Sequence, residues 1–333
     1  MLRLAFVGPA ASGLCARIAP RLRNARFTAV VDSDLASGRA VANSLGAEIA
    51  IAGFDKLLAD RSGSFDAVVL EDASKHTLRQ AVRAAEAGKH VFFQAPLAHS
   101  HEDAMDVIAA CSKAKVRLMV GNELRFAAGS RIIKASLDDG KLGQAGLVRI
   151  HHWEPRPPVD APPGETEPDR DRPALLLLRL IGELDLACWY FGGVPERVYA
   201  VSGRHSPGRA SEPDYVQVHL GFTGDGMALI DYCESLPTGD RYFSQSLIGS
   251  TGAAYADDHH NRQLLFGDGC ASALGDDTRT DAALRNLQEF VDAVCAGREP
   301  MITGEDALRA LDVGEAAAAA LQSHDAVPCG GGP

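Results

Sequence analysis

The sequence predicts an α/β protein: a doubly wound parallel sheet over roughly the first 120 residues, then a second domain of antiparallel strands and helices. Three observations predict it. Short β-rich runs alternate with helical patterns from residue 2 to about 122, as parallel strands joined by crossover helices require. A glycine turn, Gly8 to Gly13, joins the first strand to the first helix. After residue 123 the alternation gives way to strands separated by Gly-Asp and Ser-Thr-Gly turns, then to a helical C-terminus.

In order, LRLAFVG (2–8) reads as the first strand and 12–23 as the first helix. FTAVVDSD (27–34) reads as a second strand ending in acids, and LASGRAVANSLG (35–46) as the second helix. EIAIAG (48–53), FDAVVL (65–70), HVFFQ (90–94) and RLMVGN (117–122) supply further strands. Helices at 74–88 and 101–114 connect them, each ending near Gly or a Lys-rich turn. SRIIKASLDDGKLG (130–143) reads as a helix closing at a turn, and LVRIHHWEPRPP as a strand entering a Pro-rich, charged loop at 154–173. A helix at 174–193 ends at Gly192-Gly193. Two long helical patterns, AALRNLQEFVDAVCAG and GEDALRALDVGEAAAAALQS, follow the antiparallel strands. The expected division is a first domain over 1–122 and a second over 123–330, with the C-terminal helices free to pack back on the first.

The chain has 333 residues, is 46% hydrophobic and 23% charged, and carries a net charge of −11. That composition is globular. No basic stripe occurs, so nucleic acid is not an expected partner. No apolar run approaches the roughly 20 residues of a membrane helix, and a glycine turn interrupts the apolar start before it could serve as a leader; a cytoplasmic location is the default expectation. The seven cysteines form no CxxC pair, which argues against disulfides and a zinc site. His259-His260 beside Asp257-Asp258 reads as a solvated turn, and no metal is expected.

FVGPAASG has the pattern G-x-A-x-x-G, with Ala10 in the middle glycine position between Gly8 and Gly13. Such a turn lets backbone amides approach a pyrophosphate at a helix N-terminus. Asp32 follows about 20 residues later, at the end of the second strand, where an acid bonds the adenosine ribose diol and repels a 2′-phosphate. NAD is therefore the expected cofactor, with NADP disfavoured. The competing reading makes this acidic stretch a helix cap through Ser33 or Asp34. Glu71 and Asp72 end the fourth strand, and two carboxylates there must be turned away or paired if a pyrophosphate is to bind nearby.

VFFQAPLA (91–98), AAEAGKHV, GNELRF (121–126), DDGKLGQAGLV (138–148), ELDLACWYFGG (183–193), GSTGA (249–253) and the stretch 284–311 together resemble the Gfo/Idh/MocA oxidoreductases over nearly the whole chain. The resemblance implies a Rossmann domain followed by an α+β domain with a large, mostly antiparallel sheet. It implies a small-molecule substrate such as a sugar or polyol, and homodimers or homotetramers built through that sheet. It also implies a Glu-Lys-Pro triplet whose Lys contacts the nicotinamide ribose and the substrate hydroxyl; here the triplet is Gln94, Ala95, Pro96. In the family's Asp-x-Gly-x-His motif the His is the general acid/base. Its register places Leu178 at the first Asp, Leu180 at the Gly and Gly182 at the His, with only the last acid kept, as Asp185 before Trp189.

Three polar catalytic positions are thus apolar or empty, and a dehydrogenase still needs a proton acceptor or donor. Glu183, Asp185 and His152 are the candidate replacements: the two acids point to different sides of one helix, and strand alternation sends His151 and His152 to opposite faces. Gln94 and Pro96 join Gly8, Ala10, Gly13 and Asp32 as cofactor contacts. Asn122 and Arg125, just beyond the sixth strand, are candidate substrate contacts, since ligands bind at that edge of such sheets. The alternative is a non-catalytic descendant, either a dinucleotide or sugar sensor or a regulatory or partner subunit.

Overall fold

β1 (Leu2–Val7) is buried at every position but Arg3, as a central parallel strand covered on both faces must be. In the computed structural model the described residues are 1–8, 13–155, 177–204, 213–237, 239–257, 264–267, 270–273 and 279–329. The chain divides into two compact units, Met1–Ala127 with Asp277–Leu308 and Ala128–Asp276 with Arg309–Pro333.

The first unit holds a six-stranded parallel sheet. β1 pairs with β2 (Ala25–Val31) and β4 (Ala67–Leu70), and the order β3-β2-β1-β4-β5-β6 is completed by β3 (Ile49–Ile51), β5 (His90–Gln94) and β6 (Leu118–Gly121). This is the predicted doubly wound sheet. Its core joins Phe6, Phe27, Phe92 and Met119 to Leu287 and Phe290 of the helix Arg279–Ala296. α2 (Leu35–Leu45) is capped by Asp34, whose side chain accepts from the backbone N–H groups of Ala36 and Ser37, so the strand before it stops at Val31 rather than 34. α1 (Gly13–Ile18) is shorter than predicted and passes into a 3-10 turn over Ala19–Arg21; Pro20 has no N–H to continue the helical ladder. α3 (Phe54–Arg61) was not expected, because eight residues burying only Phe54 and Leu57 are too few to display a period.

The second unit is built on a nine-stranded sheet ordered β14-β13-β12-β11-β7-β10-β9-β8-β15. Its members are β7 (Ala145–Pro155), β8 (Arg197–Gly203), β9 (Tyr215–Gly221), β10 (Met227–Leu236), β11 (Tyr242–Gly249), β12 (Ala253–Asp257), β13 (Leu264–Gly267), β14 (Cys270–Ala273) and β15 (Val327–Pro328). Every pairing is antiparallel except β7 with β10. Alternation is strict: Val148, Ile150, Val216, Val218, Leu220, Ala228, Ile230 and Leu247 are buried on one face, while Tyr215, Met227 and Ile248 are exposed on the other. The helix Ile181–Phe191, whose buried residues include Glu183, Leu184, Asp185 and Leu186, packs against β7 and β10.

Candidate functional site

In the first unit Gly8, Asp32 and Gln94 stand at the carboxyl ends of β1, β2 and β5. Gly8 ends β1 with φ +146°, a backbone state that favours glycine, and its N–H donates to Val31 O at 3.2 Å. Asp32 is buried just past β2, and one carboxylate oxygen accepts from Asp34 N at 2.9 Å. Because Asp34 caps the helix, Asp32 is left with an oxygen for a ribose. A Cβ on Gly38 would lie 3.0 Å from the Asp32 Cβ, so the helix start is held close beneath the acid. These features fit the adenosine half of a dinucleotide. Ala10 lies outside the described residues, as do 156–173 of the Pro-rich loop and the pair His259-His260.

Glu71 and Asp72 are both engaged. Asp72 accepts from Ser74 N at 2.9 Å and from Thr77 Oγ1 at 2.8 Å, and Ser74 caps α4 (Lys75–Glu86). The Cys15 thiol donates to Glu71 at 3.0 Å. The acids are nonetheless felt at the edge. Asp72 Oδ2 would lie 3.7 Å from a Cβ on Gly8. Burial raises the Glu123 carboxyl above its usual range, Glu71 adds to that, and Arg279 at 3.4 Å opposes it.

Gln94 ends β5 in register with Gly121, and the Ala95–Pro96 bond is cis. Asn122 is buried, and its side chain accepts from Leu124 N at 3.1 Å, capping the turn Glu123–Phe126. Arg125 is also buried and pairs with Asp306 at 3.4 Å. Its guanidinium therefore already has an anionic partner inside the protein.

In the second unit β7 carries a polar cluster around His152. The register sets His152 between Tyr232 of β10 and Phe243 of β11, and the imidazole meets both rings edge-on at 5.5 Å. Its Nδ1 is bonded to Glu183 and its Nε2 to Glu154 at 2.8 Å. Glu154 lies two residues along the same strand, hence on the same face. With a carboxylate at each nitrogen, both must carry protons. Burial is the largest single influence and pushes the imidazole down; the charges and hydrogen bonds of Glu183 and Glu154 together outweigh it and raise its pKa to about 10. The two acids differ in freedom: the Glu183 side chain is 2% exposed and that of Glu154 is 27%. Nε2 is accordingly the nitrogen that can be uncovered. Beside it, Tyr232 donates to Glu234 at 2.7 Å, and Glu234 also binds Arg179. Burial, reinforced by Glu234, pushes the Tyr232 hydroxyl far above its ordinary value.

His151 faces the opposite side, with Asp231 at 3.2 Å. Two of the three proposed acid/base residues, His152 and Glu183, are therefore brought into contact; Asp185 is buried two positions further along the same helix. The family's Asp and His positions carry no proton-transfer group here, Leu178 being half-buried and Gly182 lacking a side chain. Glu154, Tyr232 and Glu234 were not singled out from sequence, although the i,i+2 spacing of His152-x-Glu154 and Tyr232-x-Glu234 on alternating strands was a usable signal.

Among the described residues no three His, Cys, Asp or Glu side chains are grouped to hold a metal, and no helix is long and apolar enough to cross a membrane.

Residues 2–122 match a family model described as an oxidoreductase family with an NAD-binding Rossmann fold. Residues 130–255 match the GFO/IDH/MocA C-terminal domain. The inositol 2-dehydrogenase of Rhizobium meliloti is 28% identical over 306 residues, 88% of each chain. The myo-inositol 2-dehydrogenase of Thermotoga maritima is 26% identical over 277 residues, 79% of each. By fold, the scyllo-inositol dehydrogenase from Lactobacillus casei, solved with NAD(H) and scyllo-inositol, aligns with a TM-score of 0.81 at 20% identity, over 98% of this chain and 99% of that one.

Proposed function

Since this chain belongs to the GFO/IDH/MocA oxidoreductase family, we propose that it is an NAD-dependent oxidoreductase of a sugar, polyol or related small molecule, in which His152 handles the proton in place of the family's Lys and His. The observation that carries this is the imidazole gripped at both nitrogens, by Glu183 and by Glu154. Gly8, Asp32, Gln94 and Pro96 hold the cofactor, which supplies or accepts hydride when bound. Asn122 and Arg125 are assigned to the substrate edge, Arg125 through its pairing with Asp306. Asp185 supports the helix that presents Glu183.

A doubly protonated His152 is an acid, so the supported direction is reduction of a carbonyl. Glu154 swings away, Nε2 gives its proton to the oxygen that is becoming a hydroxyl, and Glu183 keeps the neutral ring in place through Nδ1. Protein with NADH and a panel of keto-polyols and keto-sugars should consume NADH, and His152→Asn should lower kcat by roughly 10²–10⁴-fold with NADH affinity unchanged. NADH binding without consumption of any panel member would instead favour the second reading, a non-catalytic sensor or partner subunit. The replaced positions Ala95, Leu178 and Gly182 support that reading.

The outer sheet face favours self-association into a homodimer or homotetramer. Val201, Tyr215, Met227, Ile248 and Tyr255 stand 39–54% exposed there, large apolar side chains that a second copy could cover. Sedimentation of wild type against Tyr215→Lys/Met227→Lys tests it, with an oligomer expected for the first and a monomer for the second.

A further inference from the structure

Asn286 presents a buried polar group that the folded unit does not satisfy. It is 2% exposed on the helix Arg279–Ala296, and among the described residues its Oδ1 is the only buried side-chain N or O atom without a hydrogen bond. An unpaired buried oxygen is destabilising, and an apolar residue of the same shape would remove the penalty. The Asn is therefore held at this position by something other than stability.

Its amide nitrogen indicates what. Asn286 Nδ2 reaches Gln94 Oε1 at 3.5 Å, and room for the pair exists because residue 121 is a glycine. A Cβ there would come within 2.6 Å of Asn286 Nδ2 and 3.0 Å of Gln94 Oε1. With Oε1 turned inward to Asn286, the half-buried Gln94 keeps its other end, an N–H donor, without a partner among the described residues. The sheet order places that donor. Asp32 follows β2, Gly8 ends β1, and β4 and β5 lie on the far side of β1. A dinucleotide crossing the carboxyl edge with its adenosine at β2 and its pyrophosphate at β1 brings its nicotinamide end toward β5. The group on that ring able to accept from an amide N–H is its carboxamide oxygen.

We infer that Asn286 is a positioning residue for Gln94, and that Gln94 donates through Nε2 to the carboxamide oxygen of the nicotinamide. The inference rests on the cofactor reading above. ADP-ribose has everything in the dinucleotide except the nicotinamide ring, so the ratio of NADH to ADP-ribose affinity, measured by calorimetry, isolates this contact.

In Asn286→Leu the ratio should fall roughly 5–10-fold, the value of one lost hydrogen bond, while ADP-ribose affinity holds and Tm stays level or rises. Gln94→Ala should lower the ratio equally, and the double variant should fall no further, since both changes remove one unit. An unchanged ratio in Gln94→Ala, or a loss of both ligands together with Tm in Asn286→Leu, would overturn the inference while leaving the cofactor reading intact. Wild-type protein binding neither ligand would overturn the cofactor reading itself, and this inference with it.

Discussion

Replacing Glu183 by Gln removes the charge that does most to raise the His152 imidazole while keeping an oxygen that can accept from Nδ1. The imidazole stands at about 10 against an ordinary 6.5. Its folded value is raised, so the stability it contributes is fully present below about pH 6.5 and is lost as pH climbs through about 10. That span, 10 minus 6.5 at roughly 1.4 kcal/mol per pH unit, is at most about 5 kcal/mol. In Glu183→Gln only Glu154 remains to oppose burial, and the stability lost between pH 7 and 10 should shrink by about 2–3 kcal/mol. Urea unfolding of both proteins across that range measures the difference and cancels the lysines and tyrosines they share. Nitrogen-15 spectra of the histidines report the proton directly: wild type at pH 8 should show one ring protonated at both nitrogens, and the variant should lose that signal well below pH 10. Parallel stability curves, or a His152 that titrates near 6.5 in the wild type, would refute the reasoning.

Other expectations follow from single contacts. Arg125→Met removes the charged donor beside the half-buried Asp306, which keeps its bonds from Thr303, and should destabilise by about 1.5–3 kcal/mol, read by denaturant unfolding. Gly249→Ala sets a Cβ 2.0 Å from the Leu142 carbonyl oxygen, a backbone atom that cannot step aside, and should lower stability by about 3 kcal/mol or more. Asp32→Ala should weaken NADH binding and cut the preference over NADPH about tenfold or more, because the 2′-phosphate is no longer repelled; titration with each cofactor checks it. Ala95→Lys combined with Gly182→His restores two of the family's polar groups and should create or raise NAD+-dependent oxidation of polyols, followed by the absorbance of the NADH formed.

The parallel sheet was legible because its strands are apolar at consecutive positions and punctuated by glycine, as in VFFQ and LMVG. The family resemblance in 91–98 and 183–193 extended that reading to the second unit. The site was only half legible. Sequence put His152 and Glu183 on one short roll of candidates, yet 31 positions separate them, and nothing local says that the helix lays Glu183 over that strand. The same holds for Arg125: its place after β6 suggested a ligand contact, and only folding brings Asp306, 181 residues on, to its guanidinium. Asn286 was invisible for a related reason, since an Asn in an amphipathic helix looks ordinary until its oxygen is found without a partner.

The neighbouring histidines of β7 make that strand unusually sensitive to length. His151 and His152 differ by one step of the pleat, and everything around them is matched to that step: Asp231 on one side, Glu183, Tyr232 and Phe243 on the other. Deleting a single residue upstream in the strand would carry His152 to the place of His151 and Trp153 to the place of His152. The charged ring would be turned outward, and Glu183 would be left in the interior without its cation. Homologous change in this protein should therefore accumulate by substitution along β7 and by length variation only beyond its ends, so that the spacing from Val148 to Glu154 acts as a ruler for the proton-handling group.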